Sequence, residues 1–497
     1  MRNQAKYAFA LLICVAIFLP LIQIQLMWIS LLLVSFVVLG LRDMQQARHA
    51  IRRNYPILGH FRYLLESIRP EINQYFVESN TNGMPFNREI RSIIYQRAKK
   101  QNDAIGFGTR HDVYANGHEC ITHTMFPSAV VPETLRTTIG GPHCKQPYNS
   151  SIFIVSGMSF GSLSGAAIEA LNKGAKLGEF IHNSGEGGIS EYHRKHGGDL
   201  IWQIGTGYFG CRDIHGRFSR EKFIAVANDA QVKMIEIKIS QGAKPGLGGM
   251  LPGGKITEEI SLARGVPLNV DVISPGTHSE FSSIDGLLDF IEELRDLSHG
   301  KPIGVKLCLG SESEFEQLCK EMVKKQIVPD FISLDGAEGG TGSSSVEFTN
   351  HVGLPLYDAL FIINKCLKKY SLREDIKIIA SGKITDGFDI IKTIAQGSDL
   401  CASARGMMMA LGCIQALKCE SNKCPVGIAT QNPSLTKGLV PAEKSARVYS
   451  YHKKTIDSVA KMLSVMGLTH TSELRPFHIL KRNSEGHLTS AESASGS

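Results

Sequence analysis

Apolar and polar positions divide the chain into three stretches of different rhythm. From Tyr7 to Leu41 no charged residue occurs across 35 positions. A single helix of that length would be roughly 50 Å long, against a hydrocarbon core of about 30 Å. Pro20, Gln23 and Gln25 interrupt the run near its middle. The pattern predicts a transmembrane hairpin within residues 1–42, with helices near 7–19 and 26–41. Arg2 and Lys6 precede it and Arg42, Arg48, Arg52 and Arg53 follow it, which places both ends in the cytoplasm. The run is too long for a cleaved signal peptide, and one strongly tilted helix is the other solution.

Residues 43–145 mix helical spacing with polar loops. In "RSIIYQRAKKQ", Ile93, Ile94 and Ala98 fall on one side of a helix. This leading segment is expected to be mostly helical, packed under the next unit or lying along the membrane. From residue 151 a third rhythm begins. Eight short β-rich runs end in Gly/Ser/Asn loops, with helical stretches between them: "SIFIVSG", "EFIHNSG", "LIWQIGTG", "MIEIKIS", "PIGVKLC", "FISLDGA", "KIIASG" and "SDLCASA". Near-continuous apolar runs of this kind predict a parallel sheet buried on both faces. Eight units over about 250 residues is the size of a (β/α)8 TIM barrel, an α/β fold; an open doubly wound sheet is the alternative. A further run, "LNVDVIS" (268–274), leads straight into Pro275 and Gly276 and reads as an insertion loop. The barrel is thus expected over 146–440, closing helices over 441–480, and a disordered Ser/Gly-rich tail over 481–497.

Composition narrows the function classes. Charged residues make up 20% of 497, with 49 glycines, an ordinary globular composition with many tight loops. The net charge of +7 is not gathered into basic runs, so no nucleic-acid partner is expected. Eleven cysteines, an odd number in a long chain, argue against a disulfide framework and for a reducing compartment.

Chemistry is expected where the strands end, because a barrel of this type carries its active site there. Any one glycine-rich loop could be no more than a tight turn; four with paired glycines exceed what turning requires. The loops after the seventh and eighth strands of such barrels often hold phosphate, and here they offer Ser381, Gly382, Arg405 and Gly406. Lys306, at the end of the fifth strand, points into the same space. It could face the reduced, anionic ring of a flavin or form a structural ion pair. In "GCIQALKCESNKCPVG", Cys413, Cys419 and Cys424 are spaced C-x5-C-x4-C, with Pro425 behind the last. Zinc sites usually take four ligands, whereas three thiolates match the three irons of a 3Fe-4S cluster. Three buried structural cysteines are the plainer reading.

The segment "GCIQALKCESNKCPVGIATQ" resembles the iron–sulfur segment of glutamate synthase. "GMSFGSLSGAA", "NSGEGG", "KISQGAKPGLGGMLPG", "ISPGTHSEFSSIDGL", "DGAEGGTG" and "SGKITDG" follow in that family's order, across roughly residues 120–440. The resemblance implies an FMN-binding barrel with a 3Fe-4S cluster over 411–430, and reductive amination of 2-oxoglutarate to glutamate. The family's large subunits begin with an amidotransferase domain and end in a β-helical one. This chain is similar instead to a stand-alone, membrane-tethered branch, for which ammonia is expected to be free or supplied by a partner.

On that reading Lys238, Lys244, Lys255 and Arg264, on or after the fourth strand, are expected to bind substrate carboxylates. Gln241 would bond substrate or flavin. Glu186, in "NSGEGG", would handle protons on ammonia or the imine, its pKa raised by burial, or would merely accept from loop amides. Ser159, Thr341 and the glycines Gly339, Gly340 and Gly342 would contact FMN. His278 is a supporting group or a surface histidine. No G-x-G-x-x-G opens a helix after a strand, so electrons are expected from ferredoxin or a reductase subunit. A flavin enzyme making an N-substituted amino acid from an amine, and a non-catalytic membrane-anchored electron-transfer scaffold, are the alternatives.

Overall fold

The structure, a computed structural model, describes residues 2–490. It divides into two compact units, one reaching to Arg88 and the other starting at Glu89.

The first unit opens with α1 (Arg2–Ile22), a turn at Ile24–Leu26, and α2 (Met27–Gln45). The expected break at Pro20 falls later: α1 runs through the proline to Ile22. Pro20 has no N–H for the carbonyl of Ala16, four residues back, and the Ser30 hydroxyl of α2 donates to that carbonyl instead. The Phe9 ring lies over Gly40, so the two helices close where α2 has no side chain. Residues Ile24–Gln45 form a helix long and apolar enough to cross a membrane; Tyr7–Ile22 is apolar but shorter. α3 (Ala50–Asn54) and α4 (Gly59–Ile72) follow, and α4 continues into a wider turn over Asn73–Val77.

The second unit starts with α5 (Arg88–Ala98). The leading segment is helical up to Ala98, as expected, and mostly irregular beyond it. One of its strands, Glu119–Ile121, pairs with Ile479–Arg482, which turns back onto Leu488–Ser490. The tail expected to be disordered from 481 is therefore ordered to Ser490. Asn483 accepts the N–H groups of Glu485 and His487 at 3.1 and 2.9 Å, so polar residues that read as disorder are turn chemistry. The rest of the tail, 491–497, lies outside the described residues.

All eight expected runs become strands of one closed parallel barrel: β1 (Phe153–Val155), β2 (His182–Asn183), β3 (Leu200–Ile204), β4 (Val232–Lys238), β5 (Ile303–Leu307), β6 (Phe331–Asp335), β7 (Lys377–Ser381) and β8 (Leu400–Ser403). They are ordered sequentially, and β8 closes on β1 with Ser403 opposite Val155. The run at 268–274 stays out of the barrel, its Val272–Ile273 pairing with Met250–Leu251 inside the insertion after β4. Register sets Lys306 beside both Lys238 and Ser333, which places one polar row near the C-terminal mouth. After β8 come a short helix (Arg405–Leu411), the cysteine segment, and α7 (Pro441–Met466), a single closing helix. α7 lies along α6 (Gly165–Gly178), where a Cβ on Gly174 would stand 2.8 Å from the side chain of Val448.

Candidate active site at the C-terminal mouth of the barrel

The loops after β2, β4 and β6 bring four expected residues into one line. The Lys238 ammonium pairs with the Glu186 carboxylate at 3.0 Å and donates to Gln241 Oε1 at 2.7 Å. Gln241 Nε2 in turn donates to Thr341 Oγ1 at 3.2 Å. Glycines make this approach possible: a Cβ on Gly205 or Gly249 would come within 2.6 or 2.5 Å of the Glu186 oxygens. Burial pushes the Glu186 carboxyl up, but Lys238, Arg264 and Lys244 outweigh it and hold the group below the ordinary carboxylate range. The expectation of a raised pKa is corrected: Glu186 is a carboxylate at neutral pH.

Below this line sits a second charged group. Lys306 lies 3.6 Å from Asp335, which also accepts from Ser381 Oγ at 2.7 Å and from the Gly242 N–H at 3.0 Å. Burial works against the Lys306 charge, yet Asp335, Glu236 and Glu186 hold its pKa above the usual lysine value. Glu236, buried in β4, accepts from Asn183 at 2.8 Å and Gln203 at 2.6 Å and also from Ser333. Sequence reasoning missed Glu236, Asn183, Gln203 and Asp335. Their only signal was a polar residue at an inward position of an otherwise apolar strand.

Two cations meet on the β6–β8 side. Arg405 donates to the Glu338 carbonyl at 2.6 Å, and its Nε lies 2.9 Å from where a Cβ on Gly340 would be. Lys383, between Gly382 and the helix after β7, is close enough that burial and the Arg405 charge together depress its pKa. A half-buried Arg405 and a surface Lys383 beside Gly339, Gly340, Ser381, Gly382 and Gly406 fit a phosphate dianion, and so the phosphate end of a flavin mononucleotide. Gly342 lies nearby in open space.

Of the other three cations expected to bind substrate, one stays by Glu186 and two turn elsewhere. Lys244 stays with Glu186, its pKa lowered by burial and by Lys238. Arg264 is buried and turned toward the loop after β1, donating to Ser159 Oγ at 3.2 Å and the Phe160 carbonyl at 2.8 Å. Lys255 leaves the group altogether: its Nζ donates to the carbonyl of Cys419 at 2.8 Å. His278 is buried, not on the surface. It bonds the Lys238 carbonyl at 2.9 Å and the Tyr208 hydroxyl at 3.0 Å.

The cysteine segment is clamped to the β1 loop. Gln431 Nε2 donates to the carbonyls of Gly161 and Leu163, and Ser164 Oγ donates to that of Gly427 at 2.7 Å. Tyr95 holds the Cys413 carbonyl at 2.6 Å. Burial pushes the Cys413 thiol up to about 11, and the Cys419 and Cys424 charges add to the shift, so the three thiols lie within electrostatic reach of one another. The donor chemistry suits an iron–sulfur group, but the coordination is not formed. Among the described residues no three His, Cys, Asp or Glu side chains are placed to hold a metal ion. A cavity of about 580 Å³ opens at the other end of the barrel. Its Tyr148 and Asp199 are already paired with each other at 2.9 Å, and its lining holds none of these residues.

The glutamate synthase large subunit-like protein YerD of Bacillus subtilis is 36% identical over 502 residues, covering 93% of this chain and 95% of that one. The archaeal-type NADPH glutamate synthase of Thermotoga neapolitana is 34% identical over 319 residues, 64% of this chain and 60% of that protein. Among solved structures, a flavocytochrome b2 mutant with pyruvate bound superposes with a TM-score of 0.42 at 12% identity over 85% of each chain, too distant to bear on the site. The model of the conserved region in glutamate synthase matches residues 132–469, from ahead of β1 through the cysteine segment and α7, and the chain therefore belongs to the glutamate synthase family.

Proposed function

We propose that this protein is an FMN- and iron–sulfur-dependent oxidoreductase that reductively aminates 2-oxoglutarate to L-glutamate. Free or partner-supplied ammonia would condense with the oxo group to an imine and release water. Two electrons and two protons then complete glutamate, the electrons coming from ferredoxin or a reductase subunit. The observation that carries the reading is the unbroken line Glu186–Lys238–Gln241–Thr341 across the glycine loops, in a chain of this family.

Bound FMN would supply the hydride. Arg405, Lys383, Ser381, Gly382 and Gly406 would hold its phosphate, and Ser159, Gly339, Gly340, Thr341 and Gly342 its remaining edge. Lys306, kept charged by Asp335, would offset negative charge near the ring. Lys238, paired with Glu186, and Lys244, whose charge also reaches it, would orient the substrate carboxylates, while Arg264 donates into the loop after β1 and Lys255 to the Cys419 carbonyl. Glu186, ionised, would accept a hydrogen bond from the ammonia-derived nitrogen and take a proton from it at a carboxylate oxygen. Cys413, Cys419 and Cys424 would hold a 3Fe-4S cluster. The apolar α1–α2 hairpin would tether the catalytic unit to the cytoplasmic face of a membrane.

The test is anaerobic mixing of the photoreduced protein with 2-oxoglutarate and ammonia, following flavin reoxidation and glutamate. Reoxidation that requires both reagents is expected. Turnover only when methylamine replaces ammonia would move the assignment to N-substituted amino acids. No reoxidation with any 2-oxo acid would leave a scaffold.

A further inference from the structure

We infer that α4 and the turn that follows it form an interfacial helix, lying in the headgroup region of an anionic phospholipid bilayer with its apolar side in the acyl boundary. The inference rests on reading α1 and α2 as a membrane hairpin and goes beyond it, because it assigns a second, in-plane contact.

The first observation is an apolar face that, among the described residues, is left exposed. Phe61, Leu64, Leu65, Ile68, Ile72 and Phe76 recur at helical spacing, and their exposure runs from 38% at Ile72 to 85% at Phe76. A helix this amphipathic normally turns such a stripe inward, and contiguous exposed apolar side chains mark a contact surface.

The second observation is which side is anchored. The polar side holds α4 to the end of the hairpin. His60 Nε2 bonds the Asp43 carboxylate of α2 at 2.9 Å, Asp43 also accepts the Ile57 N–H at 3.0 Å, and the Arg52 guanidinium sits 4.3 Å over the Tyr63 ring. The apolar side is thus the free one, and it adjoins the segment expected to enter the bilayer.

Charge selects the kind of surface. Between Arg42 and Ile72 there are six arginines, Arg42, Arg48, Arg52, Arg53, Arg62 and Arg69, against three acids, Asp43, Glu66 and Glu71. Arg62 and Arg69 border the apolar arc, where long stems can lie along it while the guanidinium reaches the headgroups. A large amphipathic moment, low net hydrophobicity and arginine at the polar edge are the features of helices that lie on membranes. Anionic headgroups complement the charge.

The experiment places the full chain in vesicles of phosphatidylglycerol with phosphatidylcholine brominated on its acyl chains, and reads tryptophan quenching. Two tryptophans are native: Trp202, fully buried in the barrel, and Trp28 in α2. Trp28 therefore reports the hairpin by itself. Phe61→Trp in a Trp28→Phe background reports the proposed face, and Ser67→Trp in the same background reports the opposite side. The expected result is a several-fold greater fractional quench by brominated lipid at position 61 than at 67, with the order reversed for aqueous iodide. Equal lipid quenching at 61 and 67 while Trp28 is quenched would overturn the interfacial helix and leave the hairpin standing. Quenching at 61 without quenching of Trp28 would do the reverse. Position 61 shielded from both quenchers would mean that a protein, such as a second copy of this chain, covers the face, and would also overturn the inference. Undiminished quenching without phosphatidylglycerol would overturn its anionic part.

Discussion

Glu186 faces three cations, Lys238, Arg264 and Lys244, and this decides its charge against the pull of burial. A carboxyl whose folded pKa lies below its unfolded value adds stability above the unfolded value, about 4.3. That contribution is lost as pH falls through the folded value. Glu186→Gln should therefore lower stability by about 1–3 kcal/mol at neutral pH, chiefly by leaving Lys238 without its partner. The gap from wild type should close in acid; urea midpoints of both proteins across pH measure it. A gap that widened as pH fell would mean that the carboxyl is protonated in the native state. The same substitution should abolish flavin reoxidation by 2-oxoglutarate and ammonia. At the cysteine segment the expectation is separable. Cys419→Ser should remove iron and its EPR signal from anaerobically prepared protein while flavin remains, because Arg405, Lys383 and the glycine loops lie on other elements. Loss of flavin together with iron would make the cysteines structural.

At the scale of elements, the strands were legible because both faces of each are buried, so most positions are apolar and the runs stand out from their polar loops. The glycine loops were legible for the converse reason. The polar network inside the barrel was not. Glu236 reads as one acid in "MIEIKIS", and its partners Asn183, Gln203 and Ser333 lie 53, 33 and 97 residues away. Only closure of the barrel makes them neighbours. The role of Lys255 was hidden in the same way, since Cys419 is 164 residues further along the chain. Helix contacts of this kind can be tested. α6 reaches α7 through Gly174, where a Cβ would stand 2.8 Å from Val448 and 2.9 Å from the Ser445 carbonyl. Gly174→Ala gains helix propensity but must push α7 away, and overpacking of this kind costs about 1–3 kcal/mol. A lowered urea midpoint with unchanged flavin content is the expected outcome. A raised midpoint would show that α7 can shift without loss.

For the whole molecule, the proposed membrane tether makes a topology prediction, and the hairpin contacts bear on it directly. Phe9 meets Gly40 and Ala16 meets Ser30, so residues near the start of α1 lie against residues near the end of α2. Two antiparallel helices in contact return the chain to the side it left. The apolar part of α1, Tyr7–Ile22, is roughly 24 Å long, somewhat short of the hydrocarbon core of about 30 Å, with its basic first turn left for the headgroup region. Arginine and lysine flank the pair at both ends, and on the proposed membrane reading the positive-inside bias would put both ends in the cytoplasm. Reporters fused singly to the N-terminus and to the C-terminus should therefore both report the cytoplasm. Opposite locations would mean that α2 alone spans and α1 lies outside the bilayer. If both ends report the exterior, the barrel would sit where neither cytoplasmic ferredoxin nor a cytoplasmic reductase could reach it, and the proposed electron supply would fail with the topology.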